Sequence, residues 1–553
     1  MSPDLVLAGS DVERVEQIPP ATSSRWARRS TWAAVALVVA AGVVLRTYTA
    51  SALWLDEAIS VSISSLPLPD VDDALRRDGA PPLYPLILWG WEQFFGDGQN
   101  AVRALSAVFG IAALPVIAVA GRRLAGEAGA MASLLLLAVS PFAVYYSTEA
   151  RMYSLVVLLV LLGFLALDGY LRAPGRVRGI AVALLSGTLA LTHYWALFLL
   201  STVAGALLLR RWREGRRTDA RAAGWMITGG FLFLPWLPSF LFHVRHTGTP
   251  WSEPPSLSDL PDLVKVPVRW ASGPGQAGSG AVLLALVLLL LAVLGSTTVR
   301  LSRAAFELDL RGRPPGRGLA IIIAATLVLA LVISRTMGGA FVARYTSVVF
   351  PIFILLAAVG AARLPFRVRT PVLIVAALLG LALALPNLTN SGKTQAPVLA
   401  AALRAEAMPG DVVVYCPDQL GPAVSRLLPA GLHQEVYPGG GEPARVDWVD
   451  YQARNLNADP VQYARRLSER AGDRVIWLVS HAGYRTYEGH CQTLVHELTT
   501  LRGQPLCLVE SDGYYLERAD VRGWATAAEP RSALAERPQD CAPDQVPFGV
   551  VEP

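Results

Sequence analysis

The sequence predicts an α-helical polytopic membrane protein with about eleven spans and a small extracytoplasmic α/β domain at its C-terminal end. Three observations carry this prediction. Of the 553 residues 53% are hydrophobic and 16% charged, with a mean hydropathy of +0.42, which excludes an ordinary soluble protein. Apolar runs recur at roughly 32–50, 101–120, 128–147, 152–171, 179–193, 195–209, 222–242, 280–298, 319–335, 345–362 and 370–387. Every second connection between them is basic: Arg25/Arg28/Arg29, Arg122/Arg123, Arg172/Arg176/Arg178, Arg210/Arg211/Arg213/Arg216/Arg217, Arg300/Arg303/Arg311/Arg313/Arg317 and Arg363/Arg367/Arg369. By the positive-inside rule the N-terminus is cytosolic and the C-terminus outside.

Taken in order, residues 1–30 read as a polar cytosolic tail, and the first apolar run as an anchor with no small-residue cleavage site behind it. A membrane domain spans 31–388, with an outer-face loop at 51–100. Within that loop, Pro81–Phe95 is apolar but too short to span, and counting it would invert every later loop. It reads as an interfacial helix that starts at Pro81-Pro82 and carries Trp89 and Trp91 at headgroup depth. The short runs around His193 count as two spans, because Arg176/Arg178 and Arg210/Arg211 then both lie inside.

Beyond Leu388 the pattern changes to that of a domain at 389–525. Residues 396–408 and Gln419–Leu428 read as helices; 410–416, 474–480, 506–510 and 513–518 read as strands. Residues 526–553 read as a loose Pro- and Ala-rich tail. All four cysteines (Cys416, Cys491, Cys507, Cys541) fall in this last third. That suits a disulfide-permissive compartment, with three pairings open, although buried free thiols fit the same positions. Of the 48 basic residues only Lys265 and Lys393 are lysines. The arginines stand in short clusters between apolar runs, so the basic balance calls for no nucleic acid. No GxGxxG and no P-loop occurs, so nucleotide binding is unsupported.

The stretch that points to chemistry is LWLDEA, Leu53–Ala58, just beyond the first run. On a helix, adjacent carboxylates diverge by about 100°, so one faces inward while the other holds the loop. The plain alternative is a solvated helix start, where negative charge is favoured. With the eleven-span topology, Glu149-Ala150-Arg151, His193-Tyr194 and Arg344-Tyr345 collect on the same outer face.

LWLDEA, then APPLYPLILWGW, YYSTEARMYSL (Tyr145–Leu155), THYWALF (Thr192–Phe198) and FVARYTSVVFP (Phe341–Pro351) together resemble the multispanning C-type glycosyltransferases. The likeness is to the branch of protein O-mannosyltransferases and lipid A aminoarabinose transferases, over about residues 30–365. It implies a plasma (inner) membrane enzyme that moves a sugar from a polyprenyl-phosphate donor to a hydroxyl of a protein, lipid or glycan outside. Such a displacement, with inversion, needs one carboxylate base, positive charge for the departing phosphate and a dry pocket.

On that resemblance Asp56 is the candidate base, and Glu57 orients the loop or contacts the acceptor. Glu149 is a further carboxylate that binds a sugar hydroxyl or fixes Asp56. Arg151 and Arg344 face the donor phosphate, the planar guanidinium suiting bidentate contact. Tyr153, His193, Tyr194 and Tyr345 are further substrate-binding candidates, and Arg46 a weaker phosphate ligand. Simpler readings are an interfacial Glu149–Arg151 pair, a snorkelling Arg344, a satisfied helix-end His193, and Asp78 as a turn residue. Asp56, Glu57 and Glu149 can together hold Mg²⁺ or Mn²⁺, but the nearer branch does not demand a metal, and no cofactor is expected. His490, His496 and Glu497 make no convincing ligand set. The rival classes are a polyprenyl-linked sugar flippase, which would carry charges near the bilayer midplane, and a non-catalytic glycan-binding membrane protein.

Overall fold

A computed structural model describes residues 25–256, 262–274, 278–301, 306–309, 315–525 and 541. The apolar runs form helices α1 (Arg25–Val44), α5 (Gln99–Ala138), α7 (Tyr153–Arg172), α8 (Arg176–Ala190), α9 (Ala196–Glu214), α10 (Arg217–Gly229), α13 (Ser279–Ser296), α14 (Gly316–Met337), α15 (Phe350–Arg363) and α16 (Phe366–Ala384). Between α1 and α5 lie α2 (Leu55–Ser64), α3 (Leu68–Asp78) and α4 (Leu83–Phe95); α6 (Pro141–Ser147) and α12 (Asp262–Ser272) are short connectors, and α11 (Leu237–His246) continues α10 through a 3-10 turn. Six helical stretches among the described residues are long and apolar enough to cross a membrane: Gln99–Ala138, Tyr153–Arg172, Arg217–His246, Ser279–Ser296, Gly316–Met337 and Phe366–Leu388. The chain is a multi-pass membrane protein.

Two backbone features shape the bundle. α5 bends sharply where Ala125 and Gly126 leave helical geometry, Gly126 at φ 64, and this divides its 40 residues into two helices. α15 is the hub: Phe350–Ala361 are all buried, and it crosses α13 at Gly295 and Gly360. A Cβ on Gly360 would stand 1.8 Å from the Leu291 carbonyl oxygen, so only glycine permits this approach. Outward-facing side chains such as Leu290, Val328 and Leu378 are exposed, as expected where lipid takes the place of a core.

The C-terminal part is a five-stranded sheet in the order β4-β3-β5-β7-β6, built from β3 (Val412–Cys416), β4 (His433–Val436), β5 (Ile476–Ser480), β6 (Leu506–Val509) and β7 (Asp520–Trp524). A separate antiparallel pair, β1 (Thr298–Leu301) and β2 (Phe306–Asp309), joins α13 to α14. β3 and β5 are buried throughout and parallel, so their alternate residues feed two cores. Val413, Tyr415, Trp477 and Val479 pack under α17 (Ala396–Glu406). Val412, Val414, Ile476 and Leu478 belong to a second core that continues into Trp54, Leu55, Ile59 and Ile63 of the α2 region. The sheet therefore rests on α2.

Several sequence expectations change. Residues 513–518 form no strand; the sheet takes Asp520–Trp524 instead, whose Asp520 and Arg522 pair at 3.1 Å and mask its apolar alternation. The helix expected over Gln419–Leu428 is a 3-10 turn at Asp418–Leu420 followed by α18, Gly421–Ser425. α1 starts at Arg25, inside the expected tail, and a 3-10 turn at Ala343–Val348 precedes α15 where the apolar run suggested helix from 345. Residues 1–24 and 526–553, read as tails, lie outside the described residues except for Cys541. The four cysteines pair as Cys416–Cys491 and Cys507–Cys541.

Candidate active site

α2 begins immediately after an extended Trp54, and its first backbone amide, Leu55 N, donates to Glu517 Oε2 at 3.3 Å. The two acids that follow go opposite ways. Glu57 turns inward and is fully buried; Arg103 Nε and Nη2 donate to its two oxygens at 2.7 and 2.6 Å, and Ala150 N adds 2.9 Å. Arg103 also donates to the Ser51 and Ala52 carbonyls. Burial pushes the Glu57 carboxyl up, but Arg103 and Lys393 outweigh it and hold it below its ordinary value. Glu57 is the pin that fixes α2 to α5.

Asp56 faces the other way, into a cavity of about 360 Å³. Arg344 Nη1 lies 3.7 Å and Arg151 Nη2 3.8 Å from its Oδ2, too long for hydrogen bonds and close enough for a strong field. Arg151 Nη1 also donates to Ser60 Oγ at 3.1 Å, which steers the guanidinium along α2. Arg344 lies 4.8 Å from the Trp251 ring centroid. Trp54, Tyr145, Lys393, Trp448 and Glu517 also line the cavity, so its wall comes from both the bundle and the sheet domain.

The remaining predicted residues divide. Tyr345 stands with its ring 5.1 Å from His193 and 5.6 Å from Trp195, behind Arg344. His193 Nδ1 accepts from Trp195 N at 3.1 Å; burial, then Arg151 and Arg344, push this imidazole down to about 3, so it is neutral. Tyr153 meets Tyr146 edge-on, with ring centroids 4.7 Å apart, and lies tilted to His193 at 6.0 Å. Glu149 is buried behind Trp54, whose Nε1 donates to it at 2.7 Å, and burial raises its carboxyl. Tyr194 points elsewhere, its hydroxyl bonded to His243 Nδ1 at 2.7 Å and to Trp236 Nε1 at 2.9 Å. Arg46 is spent on the carbonyls of Gly42, Leu137 and Ala138. Asp78 ends α3, where Gly79 caps the helix at φ 85.

Sequence reasoning missed Lys393 and Glu517. Lys393 carried a signal, being one of two lysines in an arginine-rich chain; Glu517 carried none. Burial pushes the Glu517 carboxyl up to about 8. It therefore binds its proton more tightly folded than unfolded, and the stability it contributes is complete below pH 4.5 and lost as pH rises through about 8. The wild-type melting temperature is expected to fall across that window, and Glu517→Gln to flatten the fall; equal slopes in the two proteins would refute this.

The carboxylates do not fit a shared metal ion. Glu57 spends both oxygens on Arg103, and Glu149 faces Trp54. Among the described residues no three His, Cys, Asp or Glu side chains stand close enough to hold one.

Comparison with known proteins fits this architecture. Residues 79–238 match the family model of dolichyl-phosphate-mannose-protein mannosyltransferases. No curated protein matches the chain by sequence. Among solved structures, apo ArnT from Cupriavidus metallidurans superposes with a TM-score of 0.56 at 15% identity, over 90% of this chain and 98% of that one. ArnT bound to undecaprenyl phosphate gives 0.54 at 14% identity, over 89% and 98%. The apo oligosaccharyltransferase of Archaeoglobus fulgidus gives 0.51 at 11% identity, over 88% of this chain and 74% of that one. The chain thus has the C-type glycosyltransferase fold, and its residues 79–238 are similar to the mannosyltransferase family model.

Proposed function

We propose that this chain transfers a single sugar from a polyprenyl-phosphate donor to an acceptor hydroxyl at the outer face of the plasma membrane, with inversion. The observation that carries the reading is the Asp56 carboxylate in a cavity beside the bundle, bracketed by Arg344 and Arg151. The acceptor O–H gives its proton to Asp56 as its oxygen bonds to C1. The C1–O bond to phosphate breaks, and the electron pair leaves with polyprenyl phosphate, whose charge Arg344 offsets. Glu57 is unsuited to be the base, since Arg103 occupies both its oxygens. A cavity of about 360 Å³ lies toward the small end of ligand sites and suits one sugar with its phosphate.

The outward orientation rests on the arginine clusters at the start of α1, at the α5 bend and between α7 and α8, α9 and α10, and α15 and α16. These mark the membrane side opposite to α2–α4. The fold match to ArnT bound to undecaprenyl phosphate supports a polyprenyl phosphate as the carrier.

The test is transfer by purified protein from a panel of radiolabelled polyprenyl-phosphate sugars (mannose, galactose, arabinose) into membrane extracts. One donor should yield product, and EDTA should leave the rate unchanged. A cytosol-only fluorescent reporter fused after Pro553 should stay dark. Failure of every donor to transfer or bind sinks the reading, and a bright reporter overturns its orientation.

A further inference from the structure

One of the places where the sheet domain reaches the cavity is a short strap, in which residues 392–395 lie beside 516 and 517. Leu516 N donates to the Gly392 carbonyl at 2.8 Å, Glu517 N to Lys393 at 3.1 Å, and Gln395 N to Glu517 at 2.8 Å. The Gln395 side chain locks the strap from behind, donating to the Glu510 carbonyl at 2.7 Å and accepting from Ala519 N at 3.1 Å. Glu517 then ties it to the start of α2. Lys393 is held at the cavity by a rigid support.

Its side chain is out of balance with its surroundings. Lys393 is 4% exposed, and its Nζ finds no hydrogen-bond acceptor among the described residues. Nζ lies 4.0 Å from the Tyr145 ring centroid, an attraction that offsets only part of the cost of burying an ammonium with three N–H groups. The nearby carboxylates are engaged, Glu57 by Arg103 and Glu149 by Trp54. Burial pushes the Lys393 ammonium below its ordinary value, and the charge of Glu57 and Glu149 opposes this only in part. The space in front of Lys393 is the cavity that Asp56 and Arg344 share. What Nζ lacks is an acceptor within hydrogen-bond reach, and a phosphate ester bound in the cavity supplies one.

We propose that Lys393 is a ligand of the donor phosphate, so that the C-terminal domain completes the lipid-phosphate site and is not an appended module. This rests on the reading of the cavity as the donor site. Arg344 offers a planar fork and Lys393 a compact charge, and the phosphate sits between a residue of the bundle and a residue of the strap.

The experiment uses full-length protein in detergent with undecaprenyl phosphate, without sugar, as the probe. Lys393→Met should weaken binding about tenfold or more, the loss expected for a charge-assisted contact. Its ligand-free melting temperature should be unchanged or higher, because a buried cation without an acceptor has been removed. Lys393→Arg should recover most of the binding. If Lys393→Met binds the probe like wild type, the proposal is wrong. A lowered melting temperature with normal binding by the folded fraction would mark Lys393 as a structural contact of Tyr145. A wild-type protein that does not bind the probe would defeat the donor reading and this proposal together.

Discussion

Asp56→Asn is expected to lower transfer by about 10²–10⁴-fold, the range for losing a general base, while undecaprenyl phosphate still binds. The geometry gives the reason for both halves. The substitution removes the proton acceptor at the cavity but leaves Arg344 and Arg151 in place, 3.7 and 3.8 Å from the same position. Without the carboxylate their charge is less compensated, so phosphate binding should hold or tighten. Arg344→Ala should do the reverse and appear first as weaker donor binding, because the guanidinium meets the phosphate in the ground state as well as in the transition state. Turnover measured beside equilibrium binding separates the two. Near-normal turnover by folded Asp56→Asn protein would end the base assignment.

Arg103→Ala should destabilise the protein by about 3–5 kcal/mol, the cost of stranding a buried charge. Arg103 and Glu57 are 6% and 0% exposed and share a bidentate contact, and Arg103 also holds two carbonyls of the chain leading into α2. Removing the arginine strands Glu57 and frees the segment that aims Asp56. Replacing both partners with leucine should recover part of the loss, since no charge is then left unpaired. Melting curves followed by intrinsic fluorescence report the difference. An Arg103→Ala protein that melts with wild type would show that the pair does not fix α2.

Much of the membrane part was legible because lipid imposes long apolar runs and arginine marks one side of them. The convergence of Asp56, Arg151 and Arg344 was legible for the same reason, since topology alone brings their loops to one face. The division between Asp56 and Glu57 was not. Helical geometry says that neighbours diverge, but which one turns inward depends on Arg103, 46 residues away. Tyr194 and Tyr345 looked equivalent beside a histidine and an arginine, yet the Tyr194 hydroxyl bonds His243. In the sheet domain, β3 and β5 showed as apolar runs because both their faces are covered. β7 carries Asp520, Arg522 and Gly523 and gave no such run. Glycine is required there because a Cβ on Gly523 would meet the Trp477 ring at 2.5 Å.

The bond from Leu55 N to Glu517 joins residues 462 positions apart. A ribosome makes α2 early and its last support near the end of the chain. During most of synthesis α2 has its contacts to the membrane part, through Glu57, Asp56 and Ser64, but not yet the strap with Lys393. A half-made chain therefore lacks the wall that the sheet domain gives the cavity. The cavity is complete only when residues 516 and 517 have met the start of the molecule.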